Sequence, residues 1–494
     1  MYSGQRGPEA DPLFLCCGKF NVKVLIHVSA SRCVTGALVL AAGKGTRMKS
    51  DLPKVLLPVL DQPVLYYILD TLRRCMASSK GCVQQLAVVV GHRGETVQEY
   101  LGSNWPEALP LWQHEQLGTG HAVQIAKEWW TGLDHLLVLP GDVPLLTEAS
   151  LSGLVEEHIV SGADCSFISF HASDPSGYGR VVREGKEISI VEDKDASEAQ
   201  KALTEVNSGI YIFKTSSLLP HIYRLDNENA QGEYYLPDII AMMIRAGGKV
   251  TASLSPDEGE FAGINTPLQL ADAATALRRR ILRRHLLAGV RMQDPDSVWI
   301  GPEVVIAGNV LLEPSVQLWG KTEVESGAHV GSFSILRNVV LEEDACVVSH
   351  AVLSDSVFRK GSQVGPFIVV RDGAVFEEDS RGGKFVEVKK SRVGKGSKVP
   401  HLAYIGDAEI GAETNIGAGT ITCNYDGKKK NPTTIGNRCF IGSDTMLVAP
   451  VNVGDDGFTA AGSVITQDVP EGALAVGRAK QRNIEGWAKR AGKK

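Results

Sequence analysis

Residues 405–417 read Ile-Gly-Asp-Ala-Glu-Ile-Gly-Ala-Glu-Thr-Asn-Ile-Gly, an isoleucine returning every five or six positions with a glycine behind it each time. Outward from this stretch, apolar residues stand six apart at Ile300, Ile306, Leu312, Leu318, Val324 and Val330. The period returns in shifted register at Leu341, Val347 and Leu353, again at Val393, Val399 and Ile405, and finally at Ile435, Ile441, Leu447 and Val453. Six is neither a helical nor a heptad period. A sustained hexapeptide repeat predicts a parallel β-helix, whose coils bury their apolar corners against one another in a narrow column.

Upstream of about Val298 the pattern is different. Gly36-Ala-Leu-Val-Leu40, Leu86-Ala-Val-Val-Val90 and His135-Leu-Leu-Val-Leu139 are short apolar runs that predict strands. Amphipathic stretches at 64–75 and 119–130 predict helices between them. Continuous apolar strands alternating with helices predict a parallel sheet covered on both faces. Ligands bind beyond the carboxyl ends of such strands, which is where Gly43-Lys-Gly45 and Asp142 fall. The stretch 268–287 predicts one long connecting helix with Leu270, Ala274, Leu277 and Ile281 on a common face. Its arginines (Arg278, Arg279, Arg280, Arg283, Arg284) read as a solvated face rather than an anion site.

The chain has 494 residues, 43% hydrophobic and 22% charged, with a net charge of −6. That apolar share builds cores and excludes wholesale disorder. A mildly acidic chain lacks the positive field that general nucleic-acid binding needs. Nine cysteines with no C-x-x-C pair argue against a disulfide framework or structural zinc. No apolar run approaches the ~20 residues that span a bilayer, and the N-terminus shows no continuous signal-peptide core. The expectation is a cytoplasmic protein with no membrane or nucleic-acid partner.

Leu40-Ala-Ala-Gly-Lys-Gly-Thr-Arg-Met48 follows a predicted strand, and Lys54 lies six residues beyond it. Glycines allow a tight turn whose N–H groups face phosphate, and Arg47 and Lys54 add charge. The spacing fits neither the G-x-x-x-x-G-K-[ST] loop nor the dinucleotide G-x-G-x-x-G fingerprint. Taken alone, Asp142 reads as a turn residue and Asn265 as a helix cap before Thr266-Pro267.

With Leu52-Pro-Lys54, Gln113-His-Glu-Gln-Leu-Gly-Thr-Gly-His121 and Gly141-Asp-Val-Pro144, this loop resembles the signature of sugar-1-phosphate nucleotidyltransferases. With the hexapeptide half included, residues 35 to 490 resemble the bacterial family of bifunctional N-acetylglucosamine-1-phosphate uridyltransferase/glucosamine-1-phosphate N-acetyltransferases. The fold class implied is an α/β nucleotidyltransferase domain (Rossmann-like, with a mostly parallel sheet), a long helix, and a left-handed parallel β-helix. The expected boundaries are an extension at 1–34, a uridyltransferase domain at 35–266, a linker helix at 267–290 and an acetyltransferase domain with C-terminal tail at 291–494.

The resemblance implies roles residue by residue. Leu40, Ala41, Ala42 and Gly43 would contact the uridine nucleotide, and Arg47 and Lys54 its phosphates. Gln113, Gln116, Gly118 and Thr119 would read uracil and shape the base pocket. Asp142 and Asn265 would ligate Mg²⁺. Gly179, Glu192 and Asn207 would hold the acetamido sugar. The implied first-half reaction is attack of a sugar-phosphate oxygen on the α-phosphorus of UTP. Charge neutralisation by cations accelerates it without a general base.

In the second half, the segments around Phe385-Val-Glu-Val-Lys-Lys390, His401-Leu-Ala-Tyr404 and Asn415 to Gly427 resemble the acetyltransferase half of the same family. His401 follows the inward Val399 by two residues and is expected to project outward. Its implied role is general base for the glucosamine amine, which suits an imidazole titrating near neutrality. Arg371, Lys389, Tyr404 and Asn415 map to acceptor binding, and Ala418, Asn424, Tyr425, Ser443, Ala461 and Arg478 to acetyl-CoA. The sites are implied to form between chains of a homotrimer assembled through the β-helix. The implied product, UDP-N-acetylglucosamine, is a precursor of peptidoglycan and lipopolysaccharide.

Two motifs depart from the family's pattern. Arg381-Gly-Gly-Lys384 replaces a commoner His-x-Gly-Asn before Phe385, and Thr266-Pro267 replaces a polar pair after Asn265. Two other readings compete: a uridyltransferase whose β-helix only trimerises, and a non-catalytic subunit of the translation-factor exchange type. His401 with Tyr404 and Asn415 weighs against the first, and Asp142, Asn265 and Lys54 against the second. Deleting residues 1–34 should leave both activities intact, checked by separate assays of CoA and pyrophosphate release on the truncated protein.

Overall fold

The structure is a computed structural model that describes residues 33–78, 82–184 and 187–492. The extension expected at 1–34 therefore lies outside the described residues except for Cys33 and Val34. The first half is built on a mixed sheet. Its order is Val250–Ser255, Cys165–His171, Glu205–Lys214, His135–Pro140, Thr35–Leu40, Gln85–Val90 and Ala108–Trp112, with Arg180–Glu184 and Glu187–Val191 as a flanking hairpin. Thr35–Leu40 pairs in parallel with both Gln85–Val90 and His135–Pro140. Glu205–Lys214, however, runs antiparallel to both its neighbours, so the sheet is mostly rather than wholly parallel. The central strands are sealed between two apolar layers: Ala37, Val39, Val88 and Leu137 face one, and Leu38, Ala87, Val89 and Val138 the other. This burial on both faces is why these strands read as unbroken apolar runs.

The helix expected at 119–130 is two pieces, Thr119–Ile125 and Lys127–Trp130, parted at Ala126. Buried Trp130 drops back against the turn before it, its indole N–H donating to the Val123 carbonyl at 2.9 Å. The connecting helix spans Pro267–Leu287 and starts with a capping box: Thr266 Oγ1 accepts from Gln269 N, and the Gln269 side chain answers at the Thr266 N–H, with Pro267 in the first turn. The Thr266-Pro267 departure is thus a good helix start. The solvated-arginine reading fails for Arg278, which donates to the carbonyls of Val298 (2.9 Å) and Pro295 (3.0 Å) and stacks over Trp299.

Beyond the helix, short parallel strands wind into a β-helix of the left-handed type expected from the hexapeptide period. Leu353 pairs with Val370, seventeen positions on, and Val370 with Val388, eighteen on. Each coil is therefore about three hexapeptides, one per face. The sixteen repeat residues named above at six-residue spacing, together with Ile410 and Ile416, are all buried and belong to one cluster. Phe358 and Phe376 stack inside it at 5.3 Å between ring centroids. One coil is longer, because Thr422 pairs with Leu447 only after an insert at 424–432.

A turn at 58–63 ties the halves together. Asp61 Oδ2 accepts the Gly320 N–H at 2.7 Å, and Gln62 Nε2 donates to Glu303 at 2.6 Å. Because the core is a narrow column filled by one inward residue per face, an inward truncation leaves a cavity that its neighbours fill only in part. Phe376→Ala should cost about 3–5 kcal/mol, whereas exposed Val305→Ala should stay within about 0.5 kcal/mol. Guanidinium-induced unfolding of the two variants measures both.

Candidate functional sites

The first site lies over the carboxyl ends of Thr35–Leu40 and His135–Pro140, where the Gly141 N–H donates to the Leu40 carbonyl at 2.9 Å and ties the two strand ends together. A cleft of about 440 Å³ opens there. Of the residues implicated by sequence, Leu40, Ala42, Gly43, Gln113, Gln116, Gly118, Thr119, Glu192 and Asn207 line it. Gly43 is exposed, and a Cβ on it would meet nothing within 4 Å, so its backbone fronts open space. At Gly45 (φ 57°) a Cβ would come within 2.7 Å of Lys54 Cβ, so glycine lets the loop fold over the Lys54 stem.

Other residues stand apart from the lining. The Ala41 methyl is buried in the core beneath the sheet. Arg47 is exposed on the short helix Thr46–Met48. The cleft also has walls that the sequence reading did not pick out: Lys44, inside the quoted loop, Tyr211 and Glu233. Tyr211 hid inside an apolar strand, and only its hydroxyl contact with Asn207 Nδ2 marks it as part of the site.

The end of the cleft formed by Gln113 and Gln116 is held by its own amides. Gln113 is buried, and its Nε2 donates to the Gly118 carbonyl at 3.1 Å; Gln116 Nε2 donates to the Gln113 carbonyl at 2.9 Å. Gly118 (φ 104°) passes so close to Tyr234 that a Cβ would sit 2.7 Å from its carbonyl oxygen. At the opposite end the Asn207 N–H donates to the Gly179 carbonyl at 2.9 Å. A Cβ on Gly179 would lie 3.4 Å from Glu192 Oε1, which brings the three sugar-side residues together. Burial, reinforced by Asp238 and Asp195, pushes the Glu192 carboxyl up to about 7.

Beside the cleft, Lys54 Nζ donates to Asp142 Oδ2 at 2.5 Å and to Asn265 Oδ1 at 3.2 Å. Asp142 and Asn265 meet because the Ile264 N–H donates to the Asp142 carbonyl at 2.9 Å. Asn265 is not the helix cap; Thr266 takes that role, and the Asn265 amide oxygen accepts from Lys54 instead. A carboxylate and an amide oxygen converging on one cationic point are the hard donors that a divalent metal of the Mg²⁺ kind accepts. The residues present fit such an ion.

The second site runs along one corner of the β-helix. His401 ends the strand Lys398–His401, is exposed, and pairs in register with Lys384 on the preceding coil. The corner repeats: Leu402 N donates to the Lys384 carbonyl, Asp444 N to that of Ala418, and Gly462 N to that of Ser443. Arg478 Nη1 closes the series on the Ala461 carbonyl at 2.9 Å. Lys384, His401, Ala418, Ser443 and Ala461 therefore form one column, and the Arg478 guanidinium reaches its end, with small residues between the imidazole and that guanidinium.

Around the corner, Tyr404 lines an open groove of about 390 Å³ with Phe385 and Leu402. Arg371 Nη2 donates to Glu387 at 2.7 Å, and buried Lys389 lies 3.7 Å from Asp407. Asn415 pairs with Lys398, one coil on from the His401 strand. Asn424 and Tyr425 sit off the column, on the insert, where Asn424 Nδ2 donates to Asp407 at 2.6 Å. Within one chain this groups Asn424 with Lys389 rather than with the other residues assigned to acetyl-CoA.

A nucleotide cleft at the ends of a mostly parallel sheet, followed by a hexapeptide β-helix, defines a nucleotidyltransferase joined to a second transferase. The nucleotidyl transferase family matches residues 36–261, and the hexapeptide repeat of succinyl-transferase matches residues 432–467. The bifunctional protein GlmU of Heliobacterium modesticaldum is 45% identical over 91% of this chain and 97% of its own length. Those of an Exiguobacterium species (45%; 92% and 99%) and Fervidobacterium nodosum (44%; 92% and 97%) are similar to the same extent. The chain belongs to the GlmU family of bifunctional nucleotidyltransferase/acetyltransferase enzymes.

The Glu192 environment has a measurable consequence. Its carboxyl titrates higher in the folded chain than in the unfolded one, so ionising it opposes folding. That penalty is absent below the ordinary carboxylate range and grows as pH rises toward about 7. Glu192→Gln should therefore gain stability relative to the parent at pH 8 and not at pH 4, read from denaturation midpoints at the two pH values.

Proposed function

We propose that the residues grouped above divide the synthesis of UDP-N-acetylglucosamine between the two halves of the chain. The β-helix half acetylates glucosamine-1-phosphate, and the sheet half then joins the N-acetylglucosamine-1-phosphate to uridylate from UTP. We take the working units to be 35–266, 267–290 and 291–494.

In the first reaction the glucosamine nitrogen attacks the acetyl carbonyl of acetyl-CoA. His401 accepts the proton from that nitrogen, the C–S bond breaks, and the imidazolium returns the proton to the departing thiolate so that CoA leaves as the thiol. An exposed imidazole at the end of a strand can reach a substrate amine, which one pointing into the column could not. The small side chains of Ala418, Ser443 and Ala461 leave room along the corner for an extended pantetheine arm, with Arg478 at the far end for phosphate. Arg371, Lys389, Tyr404 and Asn415 would hold the acceptor sugar phosphate.

In the second reaction a phosphate oxygen of N-acetylglucosamine-1-phosphate attacks the α-phosphorus of UTP, and pyrophosphate leaves. Mg²⁺ held by Asp142 and Asn265 would neutralise phosphate charge. Lys54, which bridges the two donors, would then turn its ammonium to the phosphates. Gly43 presents backbone to them, while Gln113 and Gln116 read the base. Glu192 and Asn207 position the sugar. The observation that carries the reading is the meeting of Lys54, Asp142 and Asn265 from positions as much as 211 residues apart.

The chain is further inferred to work as a cytoplasmic homotrimer. Phe333, His350, Phe367, Phe385 and Leu402 stand exposed on successive coils, all in the left-handed region, and the centroids of neighbouring rings lie 4.8–5.3 Å apart. With exposed Val352 and Val369 they make an apolar strip of the kind that a second copy covers. The strip ends in the open groove beside Tyr404, so a copy seated there would also wall the acetyl site. No helix among the described residues is long and apolar enough to cross a membrane.

Asp142→Ala should abolish uridylyl transfer and spare acetyl transfer, and His401→Ala should do the reverse. Pyrophosphate and CoA release followed separately in each variant test this; loss of both activities in either folded variant contradicts the division.

A further inference from the structure

In Arg381-Gly-Gly-Lys384 the two glycines set the path of the backbone. A Cβ on Gly383 would fall 1.9 Å from the Pro400 carbonyl oxygen, and one on Gly382 would strike Ile368 and Phe376. The backbone of Arg381–Lys384 is therefore pressed against the coil that carries His401. Lys384 is the residue delivered by this arrangement, exposed and in register with His401. Parallel neighbours in register lie about 4.8 Å apart, so the ammonium-bearing side chain springs from beside the imidazole.

Two features say what it is for. The first is position in the column. Ala418, Ser443, Ala461 and Arg478 run away from His401 in one direction, and Lys384 stands on the other side. The thioester arm occupies the first direction, which leaves Lys384 on the side from which the amine arrives. The second is charge. Arg371 is already held by Glu387 and Asp372, and Lys389 faces Asp407, which also receives Asn424. Among the described residues no carboxylate lies within ion-pair distance of Lys384. It is an uncompensated cation beside the base, on the acceptor side, and the acceptor carries a phosphate dianion.

We propose that Lys384 is an acceptor-specificity residue of the acetyl-transfer site, binding the phosphate of glucosamine-1-phosphate while the amine is presented to His401. The proposal rests on the reading of His401 as the base. It adds a contact made equally in the ground and transition states, since the phosphate does not change during acetyl transfer. Such a contact sets KM and leaves kcat alone.

The test is steady-state CoA release by the full chain with Lys384→Met, Lys384→Glu and Lys384→Arg. Removing one charge-assisted phosphate contact should raise KM for glucosamine-1-phosphate about tenfold, more for the glutamate variant, with kcat and KM for acetyl-CoA each within about twofold of the parent. The arginine variant should recover most of the loss. Uridylyl transfer, housed in the other half, reports folding of each variant and should not change. An unaltered KM for glucosamine-1-phosphate overturns the proposal. So does a fall in kcat without a change in KM, which would put Lys384 on the reacting atoms, or a rise in KM for acetyl-CoA, which would put it on the donor side. If His401→Ala retains acetyl transfer, the reading of the base has failed instead, and that result is separate from any Lys384 variant.

Discussion

Each coil of the β-helix lies in register on the one before it, offset by seventeen or eighteen residues, and this stacking constrains nearly everything else in the second half. Residues at equivalent places in successive coils form columns parallel to the axis. The inward columns, one on each face, together make the core, which includes Ile300 and Val453. Another is the corner at which the backbone takes left-handed angles, repeated at Phe333, His350, Phe367, Phe385, Leu402, Gly419, Asp444 and Gly462. A non-glycine residue is uncommon in that region and costs on the order of 1 kcal/mol. The corner tolerates it because every coil above and below imposes the same turn.

The change of residue type along that corner divides it by use. Over the earlier coils it carries large rings, which stack on one another and leave an apolar strip. From Gly419 onward it carries glycine and aspartate, flanked by Ala418, Ser443 and Ala461, and the strip gives way to space. His401 stands at the transition, so the space proposed for the thioester starts at His401 and ends at Arg478. The insert at 424–432 sits at a different corner and brings Asn424 to Asp407 and thus toward Lys389. The residues proposed for donor and acceptor are thus carried on different faces of the coil.

The first half solves a different problem, that of bringing anions together. Its parallel strands end side by side, and the loops that leave them supply Gly43, Lys44 and Asp142 within one cleft region. Among the described residues, Lys54 is the cation that bridges the two oxygen donors. The turn at 58–63, a few residues beyond Lys54, is docked on the β-helix through Asp61 and Gln62. The loop that bears Lys54 is thus held from both sides, by its own sheet and by the first coils of the neighbouring fold.

Local features were legible because their causes are local. The six-residue period is written in the inward side chains themselves, and all of the residues it named are buried. The apolar runs of the central strands follow from burial on both faces, and the Thr266-Pro267-x-Gln269 helix start needs only neighbours in sequence. Other features depended on the third dimension. The antiparallel direction of Glu205–Lys214, the break at Ala126 and the engagement of Arg278 by the first coil are choices made by packing. The aromatic strip escaped notice because its members are outward residues seventeen or eighteen apart, a spacing that becomes contact only when coils stack. The column from Lys384 to Arg478 is hidden further by the insert, which stretches one step to twenty-five residues. The sequence alone therefore determined the periods, turns and motif chemistry, which short-range sterics and burial dictate. Only the tertiary structure decided which distant residues meet, because the contacts among Lys54, Asp142 and Asn265, or between Lys384 and His401, exist solely through the chain path that folds them together.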